Sequence, residues 1–275
     1  MKKHLFIAYI ALLCATLFAA GDSLETEWKK GAKFEVSLSE KLEMDYGGGD
    51  KLTSSLTSKT AVEVLDVKGN EIQMKVSLLS FKRSGEKEID SEKLEGDAQK
   101  KMFSLVKEKG LLVTISKSEI KQIKNIDEYS KEAASGDENV AAMLALQYEP
   151  VFRSMMKWLI FISSAGSKSG GKNLSERIGE KWSVTLKAHS LTVVYQEVDI
   201  TYDVTLKEVK AESAELTYTL KSVKSEEVKE AKGSGSLQFD LKNKRPSKFS
   251  LEQSFKFDGE VEKQNVTLEL SEPKK

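Results

Sequence analysis

Over long stretches of this chain apolar and polar residues alternate one for one, and that period admits few folds. In the longest run, Val198, Ile200, Tyr202, Val204 and Leu206 interleave with Asp199, Thr201, Asp203 and Thr205. Phe34, Val36 and Leu38 alternate in the same way with Lys33, Glu35, Ser37 and Ser39. Ile72, Met74, Val76 and Leu78 repeat the pattern, as do Trp182, Val184 and Leu186. Successive side chains on a strand point to opposite faces, so this period predicts antiparallel strands with one apolar and one solvated face. Gly69-Asn70 and Asp258-Gly259 supply tight turns, and Gly47-Gly48-Gly49 reads as a loop between strands.

The middle of the chain loses this period. Between Ser91 and Lys109, residues Leu94, Ala98, Met102, Leu105 and Val106 recur at helical spacing, and Ile126 to Leu146 shows no alternation. Pro150 suits the first turn of a helix, which predicts a separate helix from Glu149 to Ile162. Its only polar stripe is Arg153, Ser154 and Lys157, so most of its circumference should be buried. The stretch from Ser163 to Lys172 has the composition of a flexible linker.

The fold class expected is therefore α+β, mostly antiparallel β. Two related β regions, about ten strands in all by this count, form one large curved sheet, with a central helical insert on its apolar face. The divisions expected are a signal peptide at 1–21, an N-terminal β region with one helix at 22–125, a helical insert and Gly/Ser linker at 126–172, and a C-terminal β region at 173–275. The two β regions share an internal repeat. Trp28 to Leu38 matches Ile178 to Leu186, Thr60–Leu79 matches Val198–Val223, and Gly110 to Lys117 matches Gly235 to Lys242.

The N-terminus has the order of a secretory signal: Lys2-Lys3, an apolar run from Leu5 to Leu17, small residues at Ala19-Ala20-Gly21, and then Asp22. Cleavage near residues 19–21 removes the single cysteine, Cys14, and one of the two histidines, His4. Lipid attachment at Cys14 is the rival reading, and the bulky Leu13 before it opposes that. The expected location is thus periplasmic or extracellular. The chain carries 43 basic and 43 acidic residues, a balance with no general attraction to nucleic acid or to an anionic membrane. Val151 to Ile162 is too short to span a bilayer and contains Arg153 and Lys157.

Resemblance enters with three short patterns. Gly31 and Gly179 open the two β regions, Val62 to Asn70 forms a strand and turn, and Gly233 to Asp240 has the form Gly-x-Gly-x-x-x-Phe-Asp. In these the chain resembles an exported bacterial β-rich family of unknown function, which brings no activity and no functional residues with it. In layout alone it is similar to the periplasmic lipoprotein carriers, a fold-level analogy.

The catalytic signals are thin. Gly166 to Asn173 nearly fits a phosphate loop, but Asn173 stands where the magnesium-holding hydroxyl belongs, and no long helix follows. Ser154-Met-Met-Lys157, Ser118–Lys121 and Ser84–Lys87 fit S-x-x-K, a spacing that a serine- and lysine-rich chain produces freely. His189 is a lone imidazole between strand residues and cannot build a zinc site. No calcium loop occurs, and no carboxylate pair stands out by spacing. No cofactor or metal is expected. What remains is the apolar helix, whose Met155, Met156, Trp158, Leu159, Phe161 and Ile162 either fill the concave side of the sheet as core or line an adaptable apolar cavity. The function expected is a non-catalytic exported binding protein for an apolar or amphipathic ligand. The alternatives are an envelope-structural or protein-interaction module, and a hydrolase, which needs acidic or Ser/Lys groups converging in one cleft. The partner implied is an apolar ligand or an envelope protein.

Overall fold

The computed structural model describes residues 23–85, 88–116, 119–166, 173–189 and 197–273, with the backbone alone at 187–189 and 197. The first-region strands are β1 (Lys33–Asp45), β2 (Lys51–Lys68), β3 (Glu71–Ser84), β4 (Ile89–Asp90), β5 (Leu111–Ile115) and β6 (Ile120–Lys124). The second-region strands are β7 (Lys181–His189), β8 (Glu197–Val209), β9 (Ser213–Lys224), β10 (Glu230–Asp240), β11 (Arg245–Lys256) and β12 (Val261–Ser271). The helices are α1 (Asp97–Glu108), α2 (Ile126–Ala133) and α3 (Glu138–Ser164).

The strands form one open sheet of twelve in the order β6-β5-β3-β2-β1-β12-β11-β10-β9-β8-β7, with β4 paired to β3. Every pairing is antiparallel. Each region is a meander, and the two join in the middle through β1 and β12, paired from Glu35–Ser271 to Asp45–Val261. The alternation seen in the sequence becomes burial: β12 runs buried and exposed in strict succession from Glu262 to Ser271. The helices lie on the apolar face, called the inner face below.

Several details of local geometry are alike in the two regions. Gly31, at φ +83°, donates its N–H to the carbonyl of Val64 at 2.8 Å, and Val64 donates back to Ala32 at 2.9 Å. Gly179, at φ +88°, does the same with Leu206 at 2.8 Å, and Leu206 returns the bond to Glu180 at 3.1 Å. Both glycines occupy the left-handed region, which a side chain would strain. Phe34 pairs with Val62 as Trp182 pairs with Val204. The register also shifts at matching places, Lys59/Thr60 and Val64/Asp66 in one region and Thr201/Tyr202 and Leu206/Glu208 in the other. Val76 pairs with Leu111 and Tyr218 with Gly235, so Leu111, one residue on from Gly110, stands in the place that Gly235 takes in the other region. A slip of one would exchange the faces of the strand.

The long helix also departs from expectation. α3 does not begin at Pro150 but runs unbroken through it from an Asp137 cap, whose carboxylate accepts the N–H groups of Asn139 and Val140 at 3.0 and 3.1 Å. Proline removes the donor that would meet the carbonyl of Leu146, but Leu146 is 73% exposed, so water can take that acceptor. Further along, Trp158, Leu159, Ile160, Phe161 and Ile162 are all buried, so α3 is covered on every side there. The sheet covers one side. The segment from Leu24 crosses another, with Thr26 donating to the Ser163 carbonyl at 3.2 Å.

α3 contacts β2 and β11 and both edge strands, β6 and β7. A flat sheet of eleven spacing-limited strands would be about 48 Å across, against about 40 Å for the helix. The sheet therefore curves along it. α1 buries Met102, Leu105 and Val106 against β3 and α2, and α2 joins α1 to α3.

Candidate functional site

The six residues expected on the apolar helix are all in the interior, none more than 2% exposed. The Phe161 ring lies 5.2 Å from Tyr202, 5.6 Å from Tyr218, 5.9 Å from Phe249 and 6.1 Å from Trp158, measured between centroids. Met155 Sδ accepts from the Thr60 hydroxyl at 3.4 Å. These side chains pack against protein, and none of the six lines the cavities described below.

Beside this apolar body runs a chain of polar groups that the alternation should have made apolar. Glu40 continues the parity of Phe34, Val36 and Leu38; Gln253 lies between Leu251 and Phe255; Gln264 precedes Val266 and Leu268. The Tyr202 hydroxyl donates to Gln253 Oε1, Gln253 Nε2 to Gln264 Oε1, and Gln264 Nε2 to Glu40 Oε1, each at 2.5 Å. Ser154 Oγ donates to Glu40 Oε2 at 2.5 Å, and Trp158 Nε1 to Glu40 Oε1 at 3.4 Å. An unpaired polar group here would cost a few kcal/mol, and the chain avoids that by satisfying each member in turn.

Tyr202 on β8 meets Gln253 on β11, three strands away, a gap of about 14 Å on a flat sheet. Curvature and the missing side chain of Gly233 make the bond possible. A Cβ on Gly233 would lie 3.0 Å from that of Gln253 and 3.2 Å from that of Leu220. Burial pushes the Tyr202 hydroxyl pKa well above its ordinary value, and that of Tyr218 likewise. The Tyr218 hydroxyl is buried with no hydrogen-bond partner.

The chain ends at a cavity of about 220 Å³ between the middle of α3 and the inner face. Pro150, Val151, Ser154 and Lys157 form its helical wall; Glu40, Leu42, Leu56, Arg83, Glu262 and Gln264 are among the strand residues opposite. Lys157 Nζ sits 4.6 Å from the centroid of the Trp158 ring, a cation–π contact. Glu262 is 2% exposed. The walls thus combine two cations, two carboxylates and apolar patches.

A second feature lies on the outer, solvated face. Thr57, Ser39, Thr267, Ser250, Ser236, Thr217 and Thr205 stand in register on seven adjacent strands. The Ser236 and Ser250 hydroxyls are 3.0 Å apart, and five of the seven residues line a groove of about 560 Å³.

Of the other sequence candidates, Ser154 and Lys157 share the cavity, but the serine hydroxyl donates to Glu40 while the Lys157 ammonium lies over the Trp158 ring. Residues 1–22, with the signal and Cys14, lie outside the described residues, as do residues 167–172 of the near-phosphate loop, Lys87 and Ser118. His189 ends β7, and its side chain lies outside them too. Among the described residues no group of three or more His, Cys, Asp or Glu side chains could hold a metal ion, and no helix is long and apolar enough to cross a membrane.

No family model matches the chain, and no curated protein does. Among solved structures it is similar to lipovitellin, in a structure of its lipid–protein interactions, at 10% identity and a TM-score of 0.45, over 90% of this chain and 26% of that one. It is similar also to the translocator domain of the autotransporter NalP from Neisseria meningitidis, at 6% identity and a TM-score of 0.25, over 98% of this chain and 97% of that one. A third likeness is the LolA superfamily protein NE2245 from Nitrosomonas europaea, at 10% identity and a TM-score of 0.16, over 95% and 94% of the two chains. At these scores the likenesses carry no functional argument. The chain spans about a quarter of the lipovitellin chain it matches.

Proposed function

We propose that this chain is an exported, non-catalytic protein of two duplicated β regions that binds an apolar or amphipathic ligand where α3 meets the inner face. One observation carries the reading: a hydrogen-bonded polar chain in the interior leads to a cavity whose walls are part charged and part apolar. Stability alone does not call for such groups, since apolar side chains of similar size would fill the inner face at less cost. The ligand's polar end occupies the cavity, and its apolar part lies against Leu42, Leu56 and Val151 toward Met155 and Met156, whose flexible side chains can repack. The lysine-led N-terminus supports export, and the matching glycines, registers and bulges support duplication.

Native mass spectrometry of the protein purified from its own host without detergent tests this. Extra mass released on denaturation as an extractable amphiphile is expected. A bare polypeptide that also fails to take up a fluorescent fatty-acid probe would overturn the reading. The outer hydroxyl row favours a second reading, an envelope interaction module that presents its solvated face to another protein. Charge substitutions at Ser236 and Ser250 would then abolish a defined crosslink in envelope extracts while leaving ligand uptake unchanged.

A further inference from the structure

The charges around the cavity under α3 narrow the ligand further, and this inference rests on the ligand reading above. Lys157 and Arg83 bring positive charge to the cavity, and neither has a carboxylate partner within ion-pair distance among the described residues. Lys157 is half-buried, with its ammonium over the Trp158 ring, so its three N–H donors still need acceptors. Arg83 is exposed at the mouth, in register with Leu56, which in turn pairs with Glu40.

Glu40 brings the opposite charge. Its Oε1 accepts from both Trp158 and Gln264, but its Oε2 accepts from Ser154 alone. A carboxylate has about four acceptor sites, so one remains on Oε2. The three neutral donors fix the group in place without neutralising it.

A purely apolar ligand entering here would strip water from these charges and give nothing back. A purely anionic head would satisfy Lys157 and Arg83 but would press against the carboxylate of Glu40. A purely cationic head would meet the reverse conflict. We infer that the ligand is an amphiphile whose head carries a primary ammonium and a phosphate side by side, the phosphate meeting Lys157 and Arg83 and the ammonium donating to Glu40. A cavity of about 220 Å³ admits such a head and leaves the acyl chains along the apolar wall.

The test is binding of the full chain to vesicles of phosphatidylethanolamine, phosphatidylglycerol or phosphatidylcholine diluted in the same neutral carrier, with free phosphoethanolamine as a fourth probe. Phosphatidylethanolamine should bind about tenfold more tightly than phosphatidylglycerol, as expected for one charge-assisted pair gained and one repulsion removed. Phosphatidylcholine, whose quaternary nitrogen has no N–H, should fall between them or below. Arg83→Met, at an exposed position where folding is not at stake, should weaken binding of all three lipids alike, as should Lys157→Met, whereas Glu40→Gln should erase the preference for phosphatidylethanolamine. Equal binding of all three lipids would overturn this inference and leave the ligand reading standing. Binding of none would overturn this inference, and if the fluorescent fatty-acid probe is not taken up either, the ligand reading falls with it. Free phosphoethanolamine binding as tightly as the lipid would refute the amphiphile and assign the cavity to a soluble small molecule.

Discussion

Trp158→Ala is the perturbation that most directly tests the account of α3. Trp158 is fully buried between Phe161 and Phe249, with ring centroids at 6.1 and 6.0 Å, and it also supports the Lys157 ammonium and donates to Glu40. Burying a tryptophan removes up to about 250 Å² from water, worth at most about 6 kcal/mol at roughly 25 cal/mol per Å². Measured truncations of large buried aromatics cost about 3–5 kcal/mol. The lost donor to Glu40 and the lost cation–π contact place this one in the upper part of that range. The assay is equilibrium urea unfolding followed by circular dichroism, reading the midpoint at constant slope. Trp158→Phe is the control. It keeps most of the packing and loses the N–H, so it should cost only about 1–2 kcal/mol. A loss below about 0.5 kcal/mol for the alanine variant would place the helix at the surface and refute its role as the filling of the sheet.

The remaining predictions concern the inner face. Tyr202→Phe strands the Gln253 acceptor and should cost about 1–3 kcal/mol, whereas Tyr218→Phe removes a hydroxyl that has no partner and should be neutral or stabilising in the same unfolding assay. Gly235→Ala would set a Cβ 2.4 Å from the Ser250 carbonyl oxygen, so the β10–β11 pairing must shift, at about 2–3 kcal/mol by thermal or urea denaturation. Burial raises the pKa of Tyr148, Tyr202 and Tyr218 above the ordinary value for a tyrosine, about 10. Their contribution is therefore complete below about pH 10 and is lost as pH rises above it, at about 1.4 kcal/mol per pH unit for each. Unfolding midpoints should stay level from about pH 8 to about pH 10 and fall with that slope above it, less steeply in Tyr202→Phe, and a profile still level at about pH 11 would contradict the burial of these hydroxyls.

The strands were legible because their burial follows the alternation almost residue by residue, as in β3 and β12. The helical insert was legible from its loss of that period. The start of α3 was not, because Pro150 reads locally as a first-turn residue, and only the solvated position of Leu146 lets the helix pass through it. The one-residue offset between Gly110 and Gly235 was hidden for a related reason. Similar short strands align equally well in two registers until pairing partners are known.

At the site, the apolar helix residues were expected either to fill the core or to line an apolar cavity, and all six are buried against protein. Glu40, Gln253 and Gln264 were missed, although a signal existed: each is a polar side chain on the buried parity of its strand. Their convergence from β1, β11 and β12 depends on the sheet order, which no local pattern encodes.

The β1–β12 seam has a consequence for how this molecule reaches its final form. Gln264 and Glu40 touch across it while standing 224 residues apart in sequence. Every other neighbouring pair along the sheet comes from the same meander. Two hairpin-built half-sheets can therefore condense early and separately, but the seam waits for the last strand. It raises the contact order of an otherwise local topology and sets a late, slow step during which two long sheet edges stand open. Joining the ends beside this seam and opening the chain between α3 and β7 would make all successive strands neighbours. The same sheet would then close from one end to the other, with its edges exposed only briefly.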